Sequence, residues 1–263
     1  MNILVCVKQV PDTSENEIVI DGDGADIERD DLVYSVNEWD NYAVEEAIRI
    51  RDRSGGVVTV VTVGDEDAEE VLRREMAMGA DKAVLLSDET FQTSDGRGIA
   101  TILKAEIQKG SYDLVLTGAM ADDGAGQVGG MLAAMLDWPY ASLVNVIQFL
   151  DRGRLRVGRE IEGGNLEMNV IELPCVLSIQ TGINEPRYVG IRGIRKVANV
   201  EIPVHGAADL KLDATSVGKA GARVKRLDYF LPEQGKGAEI LEGSLDEKVG
   251  KLIEMLKAKG GLK

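Results

Sequence analysis

The stretch DLVLTGAMADDGAGQVGGMLAAML, residues 113–136, decides the fold. Leu114, Val115 and Leu116 form a short apolar run that predicts a strand. Residues 128–136 predict a helix. Between and around them, residues 117–130 hold five glycines, two adjacent aspartates and no lysine or arginine. A strand, a glycine-rich turn and a helix make one half of a parallel βαβ unit. Glycines there allow a ligand to approach the backbone closely. The helix start adds unpaired N–H groups and a positive dipole end. A phosphate would account for the glycines, while Asp122 and Asp123 oppose one. A tight turn with no ligand fits equally well, because GxxxxGK[ST] and GxGxxG are both absent. Asp122 and Asp123 could hold Mg²⁺, but no clear metal-ligand set surrounds them, and we expect no metal site.

Working outward, residues 2–7 read as a buried strand, and 57–63 as a strand buried on both faces. Ile18, Val19 and Ile20 read as a small edge strand. Asn37 to Asp40 reads as a helix start, with Asn37 as the cap and Asp40 completing a capping-box-like pattern. In that helix Ala43, Ala47 and Ile50 face inward, and Glu45 and Arg49 pair on the exposed face. Gly55-Gly56 ends it. Helices are expected at 68–78 and 95–109, with strands at 83–86 and 114–116. The order predicts an α/β, Rossmann-like fold with a mainly parallel sheet and helices on both faces. After Asp137-Trp138-Pro139 three short strands, 142–149, 155–161 and 165–171, form a β meander. Another apolar strand runs over 175–180.

Ligands of open α/β sheets gather at the carboxyl ends of strands. Three loops converge there: 7–10, 63–65 and the opening loop. Lys8 could supply charge or be a solvated strand end. Asn37 offers an amide to a base or ribose, or is only a cap.

The chain has 263 residues, with 44% hydrophobic and 29% charged residues and a net charge of −15. This is an ordinary soluble composition. So acidic a chain is a poor general binder of nucleic acid or of anionic membrane. No run reaches about 18 apolar residues, and the N-terminus carries no signal-peptide pattern, so a cytoplasmic location is expected. Charge is uneven. From residue 12 to 31 there are nine acids and one base, whereas 184–200 holds four bases and one acid. That basic stretch is a candidate docking face or a solvated loop. Cys6 and Cys175 read as small core residues rather than a disulfide framework or zinc site. The single histidine, His205, has no partner visible in the sequence. Few side chains suit base or nucleophile roles, which leans away from an enzyme acting alone. Beyond residue 184 few core-forming residues occur until an amphipathic helix at 245–257, with Val249, Leu252, Ile253 and Leu256 on one face. Such a tail either wraps a partner or is disordered.

The residues then become specific. The chain resembles the β subunits of electron transfer flavoproteins from end to end. The resemblance is carried by ILVCVKQVPDT (3–13), VNEWDNYAVEEAIRIRD (36–52), VVTVVTVG with EMAMGADKAVLL (57–86), DLVLTG with DDGAGQVGGMLAAMLDWP (113–139), VGREIEGGNLEMNVIELPCVLSI (157–179) and NEPRYVGIRGIRK (184–196). It implies an adenine nucleotide hydrolase-like domain over 1–183, and a recognition loop and extended C-terminal arm over 184–263 that wraps the α subunit. In the resulting heterodimer the α subunit holds most of an FAD. The β subunit buries AMP, or a second FAD in electron-bifurcating members that oxidise NADH. The nucleotide contacts fall on Cys6, on Asn37, Glu38, Trp39 and Asp40, on Val63, and on the loop from Gly118 through Asp123, Gly124, Ala125, Gly126 and Gln127 to Val128. Recognition-loop docking falls on Arg187, Tyr188, Ile191, Arg192, Ile194, Arg195 and Lys196, with Ile191 at the anchor position where leucine is usual. Thr13 stands where mitochondrial members have an aromatic residue near the flavin. Bifurcating members tend to carry Asp-Gly-Asp-Thr-Ala-Gln-Val. The departure at Gly124-Ala125-Gly126, and that at Arg97-Gly98, favours AMP. The implied function is electron transfer from a flavoprotein dehydrogenase, such as acyl-CoA dehydrogenase, to a quinone reductase or other acceptor. A stand-alone adenine-nucleotide sensor or hydrolase is the reading from another class.

Overall fold

The computed structural model describes residues 1–262 apart from 152, 233, 234 and 236. The expected arm, 184–263, includes positions 233, 234, 236 and 263, which lie outside the described residues. The chain runs β1 (Asn2–Cys6), β2 (Gln9–Pro11), β3 (Tyr34–Val36), α1 (Glu38–Ser54), β4 (Val57–Val63), α2 (Glu69–Met78), β5 (Lys82–Leu86), α3 (Gly96–Ile107), β6 (Leu114–Gly118), α4 (Val128–Leu136), β7 (Tyr140–Phe149), β8 (Arg154–Ile161), β9 (Asn165–Glu172), β10 (Cys175–Ile179), α5 (Ile191–Val197), β11 (Val204–His205), α6 (Gly218–Gly221) and α7 (Leu245–Ala258).

Nine strands form one sheet in the order β11-β5-β4-β1-β6-β10-β7-β8-β9. All pairings from β11 to β7 are parallel, and β7-β8-β9 continues antiparallel. The meander is therefore an extension of the main sheet. β10 returns from it to fill the gap between β6 and β7. The period-two alternation of strands sorts the core into two layers. Ile3, Val5, Val58, Val60, Leu114 and Leu116 face α1 and α2 through Ala43, Ile48, Leu72 and Met76. Leu4, Val61 and Val115 face α3 and α4 through Ala100, Ile102, Leu103 and Leu132. Both faces are covered, which is why these strands read as unbroken apolar runs.

Several expectations need correction. Residues 18–20 make no strand, only the isolated bridge Ile20 to Ile27. The second, two-stranded sheet pairs β2 with β3 instead. Asn37 caps α1 by position, but its side chain makes no capping bond, and Asp40 turns away to the strand ends. Glu45 does pair with Arg49, yet it is buried and not on an exposed face. The basic stretch is no plain loop, because it contains α5. His205 does have a partner: its Nδ1 lies 2.8 Å from Glu106 Oε2, and β11 joins the sheet beside β5.

Glu75, on the buried side of α2, is fully enclosed, and neither carboxyl oxygen has a hydrogen-bond partner among the described residues. Burial pushes its pKa up to about 8, Arg74 opposes the rise, and the charges of Asp40 and Glu45 add to it. The folded state thus keeps a proton that the unfolded chain gives up at the ordinary carboxylate value. The stability this contributes is full below that value and is lost as pH climbs toward about 8. Glu75→Met, of similar size, removes the unmatched polar atoms. It is expected to raise the melting temperature, with a gain that grows from mildly acidic pH to about pH 8 and then levels. Relief of an unmet buried polar group of about 1–3 kcal/mol sets the scale. Thermal melts across that pH range check it, and a pH-independent difference would show that the carboxyl does not titrate there.

Candidate functional site

The strand order 5-4-1-6 reverses direction between β1 and β6, so the loops after these two strands diverge and leave a crevice. α1 begins at the floor of that crevice. Its Asp40 carboxylate accepts the Lys8 N–H at 2.8 Å through one oxygen and the Gly118 N–H at 2.8 Å through the other. The N–H of Asn37 reaches the Lys8 carbonyl at 2.9 Å, and its side-chain amide reaches the Met120 carbonyl at 2.9 Å. Two side chains at one helix start thus tie together the ends of β1 and β6. Gly118 is required by this closeness, since a Cβ there would lie 2.4 Å from Asp40 Oδ1 and 2.7 Å from Trp39 Cβ. Burial pushes Asp40 up to about 7, against the pull of Asn37, the two N–H groups and Lys8. Cys6, beside it, is a buried thiol pushed far up by burial and by Asp40, and so is not a nucleophile.

The remaining sequence-derived positions fall around this pin. Val63 ends the neighbouring β4, and Glu38 is exposed on the first turn of α1. Trp39 donates its indole N–H to Gln180 Oε1 at 3.0 Å, and Gln180 donates to Glu160 at 3.2 Å. Gln180 was not singled out from the sequence, although its place at the carboxyl end of β10 satisfies the same strand-end rule as Lys8. The opening loop is exposed from Asp122 to Gln127. Asp123 forms an ion pair with Lys8 across the crevice mouth, so these two opposite charges neutralise each other. Gly126 has φ +63, and a Cβ there would meet the Ala119 carbonyl at 2.8 Å. That glycine is demanded by the chain's own turn. Gly124 has no such neighbour closer than 3.5 Å. Among the described residues no acceptor takes the N–H groups of Ala125, Gly126 or Gln127, which run into the α4 start. Asn37 Oδ1 is likewise buried without a partner. The exposed N–H groups at the helix start suit an anion. A separate hollow of about 970 Å³, lined by Met1, Asp113, Leu173 and Pro174, opens at the opposite ends of the strands, where the α/β rule places no ligand. Thr13 is exposed, next to a turn held by Asp12.

A second cluster surrounds α5. Tyr188, Ile191 and Ile194 are 92%, 68% and 53% exposed. Arg192, Arg195 and Lys196 are exposed around them. Arg187 differs from these: its guanidinium grips Glu45 at 2.7 and 3.1 Å.

Asp40→Asn replaces one carboxylate oxygen with an amino group and leaves the Lys8 or Gly118 N–H without an acceptor. The expected loss is about 1–3 kcal/mol of unfolding free energy, read from urea titration with an unchanged slope. Unaltered stability would show that the pin holds nothing.

Residues 25–210 match the electron transfer flavoprotein domain. The chain is 38% identical to an electron transfer flavoprotein subunit beta of Methylophilus methylotrophus over 262 residues, covering 97% of this chain and 98% of the relative. It is 38% identical to the subunit beta of Thermoanaerobacterium thermosaccharolyticum, covering 98% and 99%. It is 36% identical to the caffeyl-CoA reductase-Etf complex subunit CarD of Acetobacterium woodii, again covering 98% and 99%. Among the described residues no helix is long and apolar enough to cross a membrane. The fold, the strand-end crevice and these full-length similarities agree, and the chain belongs to the electron transfer flavoprotein family, with its β subunits as its relatives.

Proposed function

We propose that the chain is the β subunit of a heterodimer that carries electrons from a flavoprotein dehydrogenase, of the acyl-CoA dehydrogenase kind, to a quinone reductase or similar acceptor. An FAD held mainly by the α subunit supplies the electron uptake and release. This chain's residues bind, orient and dock. The observation that carries the reading is the run of N–H groups at 125–127, without an acceptor among the described residues, at the start of α4 beside the β1/β6 switch. AMP fits this set with its phosphate at the α4 start and its adenine or ribose near Asn37. Bound only by the folded chain, it would stabilise the fold by mass action. A second FAD in the same crevice, as in a bifurcating complex, is the other reading. Gln127-Val128 and the similarity to the caffeyl-CoA reductase-Etf complex subunit favour it, whereas Gly124-Ala125-Gly126 favours AMP.

Two further surfaces suit the heterodimer. α7 opens with a capping box between Ser244 and Glu247, yet Val249, Leu252, Ile253 and Leu256 on its apolar stripe are all exposed. On β9, Leu166, Met168 and Val170 alternate outward. An α subunit covering either stripe would give these apolar faces the burial they lack. The patch of Tyr188, Ile191 and Ile194, with Arg192, Arg195 and Lys196 around it, suits a dehydrogenase pocket that is apolar within and acidic at its rim.

Purifying the chain with its α subunit and chromatographing heat-released nucleotides tests the cofactor reading. One FAD and one AMP per heterodimer is the expected result. Two FAD would establish the second reading, and no flavin would sink both. Truncating the anchor by Ile191→Ala is expected to raise the half-saturating heterodimer concentration for acyl-CoA dehydrogenase by about tenfold, the scale of a docking hot spot, with flavin content unchanged. Unaltered half-saturation would put the anchor elsewhere.

A further inference from the structure

α5 has only seven residues, Ile191–Val197, and no side-chain cap at its start. A helix this short does not hold itself together in water. Most of its side chains face solvent, and only Val197 is buried. Its shape must therefore be imposed from beneath, and α1 and α2 supply the means.

At the far end, Arg73 of α2 points one guanidinium nitrogen at the carbonyls of residues 197, 198 and 200. It donates to Val197 at 2.8 Å, Val200 at 3.1 Å and Ala198 at 3.3 Å. Its Nε is fixed by Glu69 at 2.7 Å, which holds the orientation of the fork. A cation at this point also complements the negative end of the α5 dipole. At the near end, Glu45 of α1 receives Arg187 through Nε at 2.7 Å, Nη2 at 3.1 Å and the backbone N–H at 3.3 Å. Burial pushes the Glu45 carboxyl up, but the bonds from Arg187 and Arg49 outweigh it and hold the group below its ordinary range. Asn184 reinforces this end by donating to the Tyr42 carbonyl at 3.0 Å. Between the two clamps the helices touch backbone to backbone: a Cβ on Gly193 would lie 2.5 Å from the Ala77 carbonyl oxygen.

We propose that Arg73, Glu45 and Gly193 are positioning residues for docking: they pre-form the segment so that Tyr188, Ile191 and Ile194 stand as one rigid patch with the basic residues around it. The inference rests on the docking reading of that patch. It assigns Arg187 to the clamp, and leaves Arg192, Arg195 and Lys196 to meet the partner. Without the clamps, the binding-competent fraction of the segment falls, and apparent affinity falls by the same factor.

The test uses the intact heterodimer with Glu45→Gln, which is isosteric but uncharged, and Arg73→Gln, which is shorter and uncharged. Hydrogen exchange, followed by mass spectrometry, should speed up at amides 191–200 in both variants and stay unchanged in β1 and β4. The half-saturating concentration for acyl-CoA dehydrogenase should rise roughly five-fold, with the maximal rate and flavin content unaltered. Arg73→Lys, which offers a single point charge, should recover only part of the loss. Unchanged exchange at 191–200 would overturn the proposal. So would unchanged half-saturation in Arg73→Gln when Ile191→Ala weakens docking. If Ile191→Ala also leaves half-saturation unchanged while exchange still speeds up, the clamps stand and it is the docking reading of the patch that fails.

Discussion

The Asp40 carboxylate joins the ends of β1 and β6 at the place where the sheet reverses direction. Parallel strands have their hydrogen bonds within the ladder, and nothing in the ladder itself orients the loops that leave it. A single acceptor with two oxygens, placed at the start of α1, gives both departing chains a fixed first residue. The Gly118 backbone approaches so closely that no side chain fits, and Trp39 packs in the same contact. Lys8, the opening loop and Gln180 then take their positions relative to that point. The carboxylate itself has both oxygens already engaged by backbone N–H groups of the chain. Its role is to hold the loops whose N–H groups are free.

The glycine-rich loop divides accordingly. Gly118 and Gly126 are explained by contacts with the chain itself, to Asp40 and to the Ala119 carbonyl. What remains for a ligand is the backbone beyond Gly124, running into the α4 start. Asp123 does not repel a phosphate as strongly as its charge suggests, because Lys8 pairs with it at the crevice mouth. The two aspartates that opposed an anion in the sequence are thus not equivalent. One is neutralised by a residue 115 positions away, a separation at which no local pattern gives warning.

The basic segment follows a similar logic at the surface. Its charges look alike along the chain and all are exposed, yet Arg187 is held by Glu45, whereas Arg192, Arg195 and Lys196 make no ion pair among the described residues. The difference lies in α1, where Glu45 sits one turn before Arg49. Helical spacing pairs these two correctly, but of the expected exposed pair only Arg49 reaches solvent and Glu45 is buried. An i,i+4 pair fixes which residues are neighbours along a helix. It does not say what packs over them, and here residues 184–187 do.

How much was legible follows from the range of each interaction. The parallel core, the helix positions and the meander could be read because apolar runs and turn residues act within a few residues of one another, and hydrophobic periodicity is local. The strand-end rule pointed to the β1/β6 switch, where Asp40 joins the two strand ends, and the motifs pointed to the family. The short edge strand at 18–20 was misread because only Ile20 finds a bridge partner, Ile27, and one isolated bridge is not a strand. Asp40 was misread as completing a capping box because that box is a local pattern, whereas its actual partners, the N–H groups of Lys8 and Gly118, lie 32 and 78 residues away. α5 and β11 were missed because neither is stable alone, and each exists only where α2 or β5 offers it a surface. The sequence by itself determined the layered α/β sheet, since that depends on local pattern. Only the tertiary structure decided which polar groups are consumed in holding the fold and which stay free to bind, because that depends on partners brought together by chain closure.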